Sequence, residues 1–575
     1  MFTDIRNKFI SNRQGSVLAI SLAVVFFIAV LGSIFIAKVI SDKSSSDIER
    51  VSTQAFYLAE AASQSGLEQI DTLINTDMMT VVNGTNPQVL ANDAKGYVND
   101  QDGLGFLWQY VRQGGTNLLT INPGHTLVRY DGSSTNFVNG SYVFNILFTE
   151  KSNPSAIGTD QWDFPYYYRI EATGVAGGMI SRKVVVTGDF TVRVQRDNFA
   201  KFALFTDHHA MPSGTPVWFT NKTNFSGPIH TNDQYRFALN PSGTFDGAVT
   251  QQNTKAMFYN NNNPKQEDAD SNPPYDVPTF NAGYTRGAAE IVLASAVQKQ
   301  DMIDQVRAGD NTPGYGIFVA NDGEKLLGGI YVSGSATINM GVDANHNATY
   351  TITRGTTTKV ITADIANNQT SVHTVGGGTQ VFNGLPDGVG NVGTIIYVNG
   401  AINSLEGTVQ KDTEVTVSSE NDIVITDHLK YEEYDEAVGT PGTPGYIPPN
   451  ADDQKNMLGI VCWGGNVRVG TGASDDVEIH ASVMARNGIF TVDNYESGSP
   501  RGTATLLGGA ITQFYGAFGT FNGQTGLPAS GYGRNFVYDG RMLLGKAPPY
   551  YPSMRTFIAF TNDIADKIAW QEGGF

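Results

Sequence analysis

Residues 14–40 read QGSVLAISLAVVFFIAVLGSIFIAKVI, and the interpretation of the whole chain hangs on them. Val17 to Ala37 is roughly 21 residues of nearly unbroken apolar character, about 32 Å of helix, which matches the hydrocarbon thickness of a bilayer. No Asp, Glu, Lys, Arg or Pro interrupts it, and the stretch predicts a membrane span. A helical rhythm then continues without proline through SDKSSSDIERVSTQAFYLAEAASQSGLEQIDTLI (41–74). Within it Ile48, Val51, Ala55, Leu58 and Ala62 alternate spacings of three and four, which puts them in a narrow seam on one helix face.

Flanking charge sets the orientation. Arg6, Lys8 and Arg13 face Asp4 alone in the segment before Ser16, so the N-terminus is expected in the cytoplasm and the body from Lys38 onward outside it. A cleavable secretory signal fits poorly, because the apolar run exceeds an h-region and no A-x-A site follows.

The remaining composition narrows the class. A chain of 575 residues predicts several domains, and a net charge of -18 argues against a nucleic-acid partner. Only 16% of residues are charged, whereas Gly (64), Tyr (25) and Phe (31) are plentiful, a balance that favours β structure with tight turns. Cys462 is the single cysteine, so no intrachain disulfide can form. A membrane span followed by a cystine-free, Gly/Asn/Thr-rich body suits a bacterial envelope protein.

Three features occur in sequence: a short basic leader ending in Gly15, an immediate apolar helix, and Gln54-Ala55-Phe56-Tyr57-Leu58-Ala59-Glu60-Ala61-Ala62. Together they resemble the N-termini of type IV pilin-like proteins, most closely the minor-pilin group. The resemblance covers about the first 75 residues. It implies cleavage by a prepilin peptidase after Gly15, Ser16 as the mature N-terminus, and other pilin-like subunits as partners of the stem. Major pilins carry Glu at the fifth mature position, where this chain has Ile20. An acid inside an apolar helix needs a partner, and its absence removes the usual contact to a neighbouring subunit. Loss of that Glu fits a minor or tip subunit. A compact ectodomain of this size has a radius of gyration of about 23 Å, easier to place at a filament end than at every position along it.

Beyond the stem the chain is expected to be mainly β. The reading is a basic leader (1–15), a stem helix (16–75), an antiparallel pilin-like β domain (76–200), a β-solenoid ectodomain (201–550) and a C-terminal cap (551–575). A short helix is expected near 103–112. Strands are expected at 126–130, 142–148, 166–174, 182–190 and 191–195, with a glycine turn at Gly177-Gly178. This sheet is expected to lie against the exposed part of the stem. In the ectodomain NFSGPIHTN (224–232) resembles TFDGAVTQQ (244–252), and IYVSGSATI (330–338) resembles IYVNGAINS (396–404). Such short, closely spaced strands with glycine corners suggest rungs of a parallel solenoid, with a sandwich as the alternative. Inserts are expected at 255–315 and 427–455: a polar loop at 259–276, a helix at 285–309 with Val292, Ala296, Ile303 and Val306 on one side, and an acidic Pro/Gly-rich excursion at 427–453. The cap is expected to be a strand and a short helix covering an open solenoid end.

Candidate sites are thin. Asp207, His208, His209 and His230 could ligate a metal, although adjacent strand residues point to opposite faces. Asp268-x-Asp270-x-Asn272 and Asp343-x-Asn345-x-Asn347 resemble the start of a Ca²⁺ loop without its later ligands, so no cofactor is expected beyond a loose surface Ca²⁺ site. The best carboxylate set for polysaccharide cleavage is Asp475, Asp476 and Glu478 with Arg468 or Arg486, and its spacing is that of ordinary turns. Trp218, Trp463, Phe514, Tyr515, Phe518 and Phe521 could line a glycan-binding patch, although core packing is the commoner use of such rings. The expectation is a non-enzymatic minor or tip subunit of a type IV pilus-like or type II secretion-like filament. It would be held in cytoplasmic-membrane lipid and present its β domain for adhesion, to a surface glycan or another target, or for assembly. The competing expectation is an anchored surface protein, polysaccharide-binding or polysaccharide-cleaving, that does not polymerise.

Overall fold

The computed structural model describes residues 3–78, 118–120, 127–131, 135–137, 139–158, 161–178, 180–220, 223–238, 243–260, 263–267, 277–309, 316–439, 445–450, 455–522, 527–561 and 569–572. They are mainly β, with one long N-terminal helix. The chain divides into two compact units, the first holding Met1–Ser155, Trp162–Val194 and Ala559–Phe575, the second Ala156–Gln161 and Gln195–Ile558.

In the first unit the stem helix runs Thr3–Thr72 and closes in a π turn, Leu73–Met78. No proline occurs before Pro87, so nothing interrupts the helical hydrogen-bond ladder. Through residue 50 the described stem side chains are exposed; from there on Ala55, Ala59, Ala62, Ser63, Ile70 and Leu73 form a buried face. That face lies on a nine-stranded sheet. Its centre pairs Gly140–Glu150 with Gln161–Ala176 antiparallel, Ile146 opposite Ile170. Gly174 makes the contact close: a Cβ there would stand 2.2 Å from the Ala55 carbonyl oxygen and 2.4 Å from the Ala59 nitrogen. Small residues on both sides let helix and strand backbones nearly touch. Arg182 Nε donates to Ser52 Oγ (2.8 Å) and Ser65 meets the Tyr142 hydroxyl (3.1 Å), fixing the helix along its axis.

The hairpin turns at Gly177 and Gly178, both at positive φ (59° and 75°). Its second arm corrects the expectation of separate strands at 182–190 and 191–195. Ile180–Asn198 is one strand, because Val184, Val186, Phe190, Val192 and Val194 keep a period of two across the supposed break. The C-terminal expectation is also corrected. Ser553–Thr561 and Ala569–Glu572 are strands of this same sheet, Trp570 lying opposite Val186, rather than a cap on the second unit. The alternating TFIAF run suits an added strand. Residues 562–568, where the capping helix was expected, and the helix expected near 103–112 lie outside the described residues.

The second unit is organised by parallel pairing, most of it between strands that are not neighbours in sequence. Leu326–Ser333, Thr394–Asn399, Glu414–Ser419, Met457–Cys462, Glu478–Ala485 and Pro500–Phe514 stand side by side, followed by Leu204–His208, Ile229–Thr231, Val249–Gln251 and Tyr284–Arg286. Their register forms one apolar column: Ile330, Ile396, Val417, Ile460, Val483, Ala510, Leu204, Ile229, Val249 and Tyr284, of which all but Tyr284 are buried. A second parallel ladder runs through Ala336–Val342, Ile402–Val409, Ile423–Tyr431, Val467–Val469 and Phe490–Val492. An antiparallel meander from Ala336 to Asn383 makes the network mixed.

Ladder order differs from chain order. The chain enters beside Pro500–Phe514, runs outward to Tyr284–Arg286, then returns along residues 287–309 to begin the far end. The return segment is fastened in passing. Asn232 Nδ2 donates to the Ile291 carbonyl (2.8 Å), Arg486 Nε to that of Ala294 (2.8 Å), and Lys299 pairs with Glu420 (2.9 Å). Its helix covers only Ala296–Arg307, begun by a Ser295–Gln298 capping box, with Met302 and Val306 buried. The helix expected over 285–309 is therefore shorter, since Tyr284–Arg286 is committed to the ladder and Val292 is exposed. The polar stretch 259–276 also contains structure, an antiparallel hairpin of Ala256–Asn260 with Asn263–Glu267. The strand Ile423–Tyr431 takes the first residues of the expected 427–453 excursion.

Gly174→Val in the full-length protein in detergent should force the stem off its strand and lower the stability of the first unit by about 1–3 kcal/mol. Denaturant unfolding checks this; a native-like midpoint would refute the close contact.

Candidate functional site

Among the described residues one helix is long and apolar enough to cross a membrane. Val17, Leu18, Ile20, Val25, Phe26, Phe27 and their neighbours to Ile40 are all exposed. Gly15 and Ser16 lie within the helix, their side chains outside the described residues. The seam chosen from sequence divides. Ala55 and Ala62 are fully buried, with Leu58 against Gly140 and Gly174 and Val51 against Gly177, all within the chain's own first unit; Ile48 remains 57% exposed. The seam is thus largely covered by the sheet behind it, leaving the span, Ile48 and Tyr57 as the uncovered apolar surface of the helix.

The sequence-derived polar candidates do not converge. His209 is buried among Phe219, Tyr235 and Tyr515, and burial pushes its pKa down to about 3. His208 stacks on Phe514 at 4.9 Å, and His230 is held by Thr250 (2.8 Å) and Asn232 (2.9 Å). Asp207 accepts from Asn232. Among the described residues no group of three or more His, Cys, Asp or Glu is placed to hold a metal. Asp343 accepts the backbone N–H groups of Asn345 (2.8 Å) and Asn347 (2.9 Å), a side-chain-stabilised turn. Residues 268–272 lie outside the described set.

The expected carboxylate set is likewise dispersed. Asp475 pairs with Arg501, Asp476 accepts from the Thr503 amide, and Glu478 pairs with Lys430. Arg468 is engaged by Asp422 and Asp493, and Arg486 by the return segment. Trp463, Tyr515 and Phe518 are buried, with Trp463 Nε1 donating to Ser418 (2.9 Å). Trp218 and Phe514 are partly covered, and the Phe521 side chain is outside the described residues.

Sequence reasoning missed a cavity in the second unit. It has a volume of about 230 Å³ and is lined by Ala363, Ile365, Leu385, Asp387, Val392, Gly393, Thr394, Asp412, Thr413, Glu414 and Lys455. The lining mixes apolar side chains with the carboxylates Asp387, Asp412 and Glu414 and the ammonium of Lys455; Asp412 and Lys455 are exposed, whereas Asp387 and Glu414 are partly buried. Asp387 follows a Leu-Pro turn and accepts a hydrogen bond from Thr394 Oγ1 at 3.2 Å. Glu414 opens the strand Glu414–Ser419. Burial pushes Asp387 up to about 6 against the pull of Thr394. Burial also pushes Glu414 up to about 7; Lys546, Arg541 and Lys455 oppose the rise and Asp387 adds to it. Neither carboxylate makes an ion pair among the described residues. The two acids come from separate turns of the ladder, so no local spacing could have revealed them.

Residues 163–253 match a family model described as Domain of unknown function (DUF4900). The match spans the hairpin Gln161–Asn198 of the first unit's sheet from residue 163 and the strands Leu204–His208, Ile229–Thr231 and Val249–Gln251 of the second unit. No curated protein and no solved structure matches the chain.

The raised carboxyls give stability a definite pH sign. A folded-state pKa above the unfolded value favours the fold while the group is protonated; the contribution is complete below the ordinary carboxylate range and is lost as pH rises through 6 to 7. Glu414→Gln should therefore flatten the fall in melting temperature over that interval and melt above the native protein at pH 8. Parallel calorimetric profiles for the two proteins would refute it.

Proposed function

We propose that this chain is a pilin-like envelope protein, a minor or tip subunit of a type IV pilus-like or secretion-like filament that displays a large β-solenoid. The stacked parallel ladders and glycine corners support the solenoid. Support for the pilin-like role rests on how the stem helix is divided. Its second half lays an alanine face on the chain's own antiparallel sheet, while its first half leaves an unbroken apolar span uncovered. A simple anchor has no need of a continuous helix that joins the two. The N-terminus would sit in the cytoplasm, the span in cytoplasmic-membrane lipid or against the apolar helices of neighbouring subunits, and the β domain beyond the membrane. The role is display for adhesion or assembly rather than catalysis.

A second reading, an anchored surface protein that never polymerises, is favoured by Ile20, an apolar residue where a filament-forming stem would carry an acid.

Processing separates the two. Intact-mass analysis of envelope protein should find Ser16 as the first residue of the native chain, and Gly15→Val should retain the leader and vanish from a sheared filament fraction. A native chain that keeps its leader, or a Gly15→Val variant that distributes like the native one, would leave only the anchored reading.

A further inference from the structure

The carboxylate cavity of the second unit has no part in a display role, and its chemistry is specific. We propose that it binds a compact primary ammonium ligand, an amine carried on a small ring or short alkyl body, with Asp387 and Glu414 as counter-ions.

Size comes first. A cavity of 150 Å³ holds benzene, so the 230 Å³ here admits a body of about ten non-hydrogen atoms. Ile365, Leu385 and Val392 give that body an apolar wall.

Charge comes next. Carboxylates drawn out of water are unfavourable unless a cation or several donors meet them. Asp387 has one side-chain donor, Thr394, and among the described residues Glu414 has none. Arg541 cannot serve, being held in a buried pair with Asp539 (2.6 Å). Lys455 and Asp412 are exposed at the mouth.

A third acceptor lines the cavity with them. Thr394, 2% exposed, gives its hydroxyl hydrogen to Asp387 and keeps its oxygen lone pairs. Tyr350, equally buried, lies near Thr394 but outside the lining. An ammonium group brings three donors and no acceptor, which matches two carboxylates and a hydroxyl oxygen. The remaining groups facing the pair are Lys546, which acts on Glu414, and Tyr550, whose hydroxyl donates to the Asp387 carbonyl. Burial pushes the Tyr350 and Tyr550 phenols up, so both stay neutral.

The test uses the full-length protein in detergent, with cyclohexylamine as probe and cyclohexanol as its uncharged match. A primary amine of lysine-like pKa, about 10.4, is charged at both pH 5 and pH 8. Calorimetric titration should show saturable one-to-one binding of cyclohexylamine at pH 8 and none of cyclohexanol. Affinity should fall at least tenfold at pH 5, where the two acids take up protons, and at least tenfold at pH 8 in Asp387→Asn and in Glu414→Gln. Melting curves establish that both variants are folded. Equal binding of cyclohexanol, native-like binding by folded variants, no saturable amine signal, or calcium chloride binding in place of the amine would each overturn the proposal.

Discussion

In-register stacking of apolar side chains along parallel strands is the constraint on which the second unit depends. Strand spacing in a sheet is about 4.8 Å, so a residue from each successive strand must fit directly above its equivalent. The column from Ile330 to Tyr284 meets this with branched aliphatics almost throughout, and burying each such side chain is worth about 1.5–3 kcal/mol. Where backbones rather than side chains meet, glycine is required. A Cβ on Gly247, in the bend before Val249–Gln251, would stand 2.2 Å from the carbonyl carbon of Gly227, in the bend before Ile229–Thr231. Polar residues inside can pair along the same axis, as Thr206 does with Thr231 at 3.0 Å. Cys462 belongs to this stacked interior as well, where burial pushes its thiol up to about 12 and makes it a packing residue.

The first unit answers to a different rule, in which one helix serves two environments. Alanine and glycine, which bury little, let the stem and its sheet approach to backbone contact. Most of the helix's leucine, isoleucine, valine and phenylalanine lie in the half that no part of the described chain covers, while Ile70, Leu73 and Ile74 anchor the end of the covered half. The uncovered half differs from a soluble helix, where the large apolar residues face the core.

How much of this could be read from sequence depends on the range over which each signal acts. Helix and strand periodicity act locally. The stem, the Gly177-Gly178 hairpin and the strands around 142–148 and 166–174 follow from it. The internal likenesses carried longer-range information. Ile330-Tyr331-Val332 lies directly against Ile396-Tyr397-Val398 with the two tyrosine rings stacked at 3°, and Phe225 lies against Phe245. A third copy of the Phe kernel escaped notice because Phe280 and Tyr284 flank Asn-Ala-Gly, with alanine in the glycine place. What local pattern could not convey is order. Nothing in the residues 204–208 announces that their neighbour is 510–514, nor in the last strands that they return to the first sheet. The cavity escaped for the same reason, since Asp387 and Glu414 meet only after the ladder has assembled.

That order has a consequence for the making of the protein. Leu204–His208 pairs on one side with Ile229–Thr231, and on the other only with a strand roughly 300 residues downstream. Synthesis at about 5–20 residues per second leaves that edge open for about 15–60 s. An open parallel edge of apolar residues is a template for any other extended chain. The nascent body therefore has a sticky side throughout its emergence, and a holding factor or uncrowded surroundings are part of what this topology demands of its host.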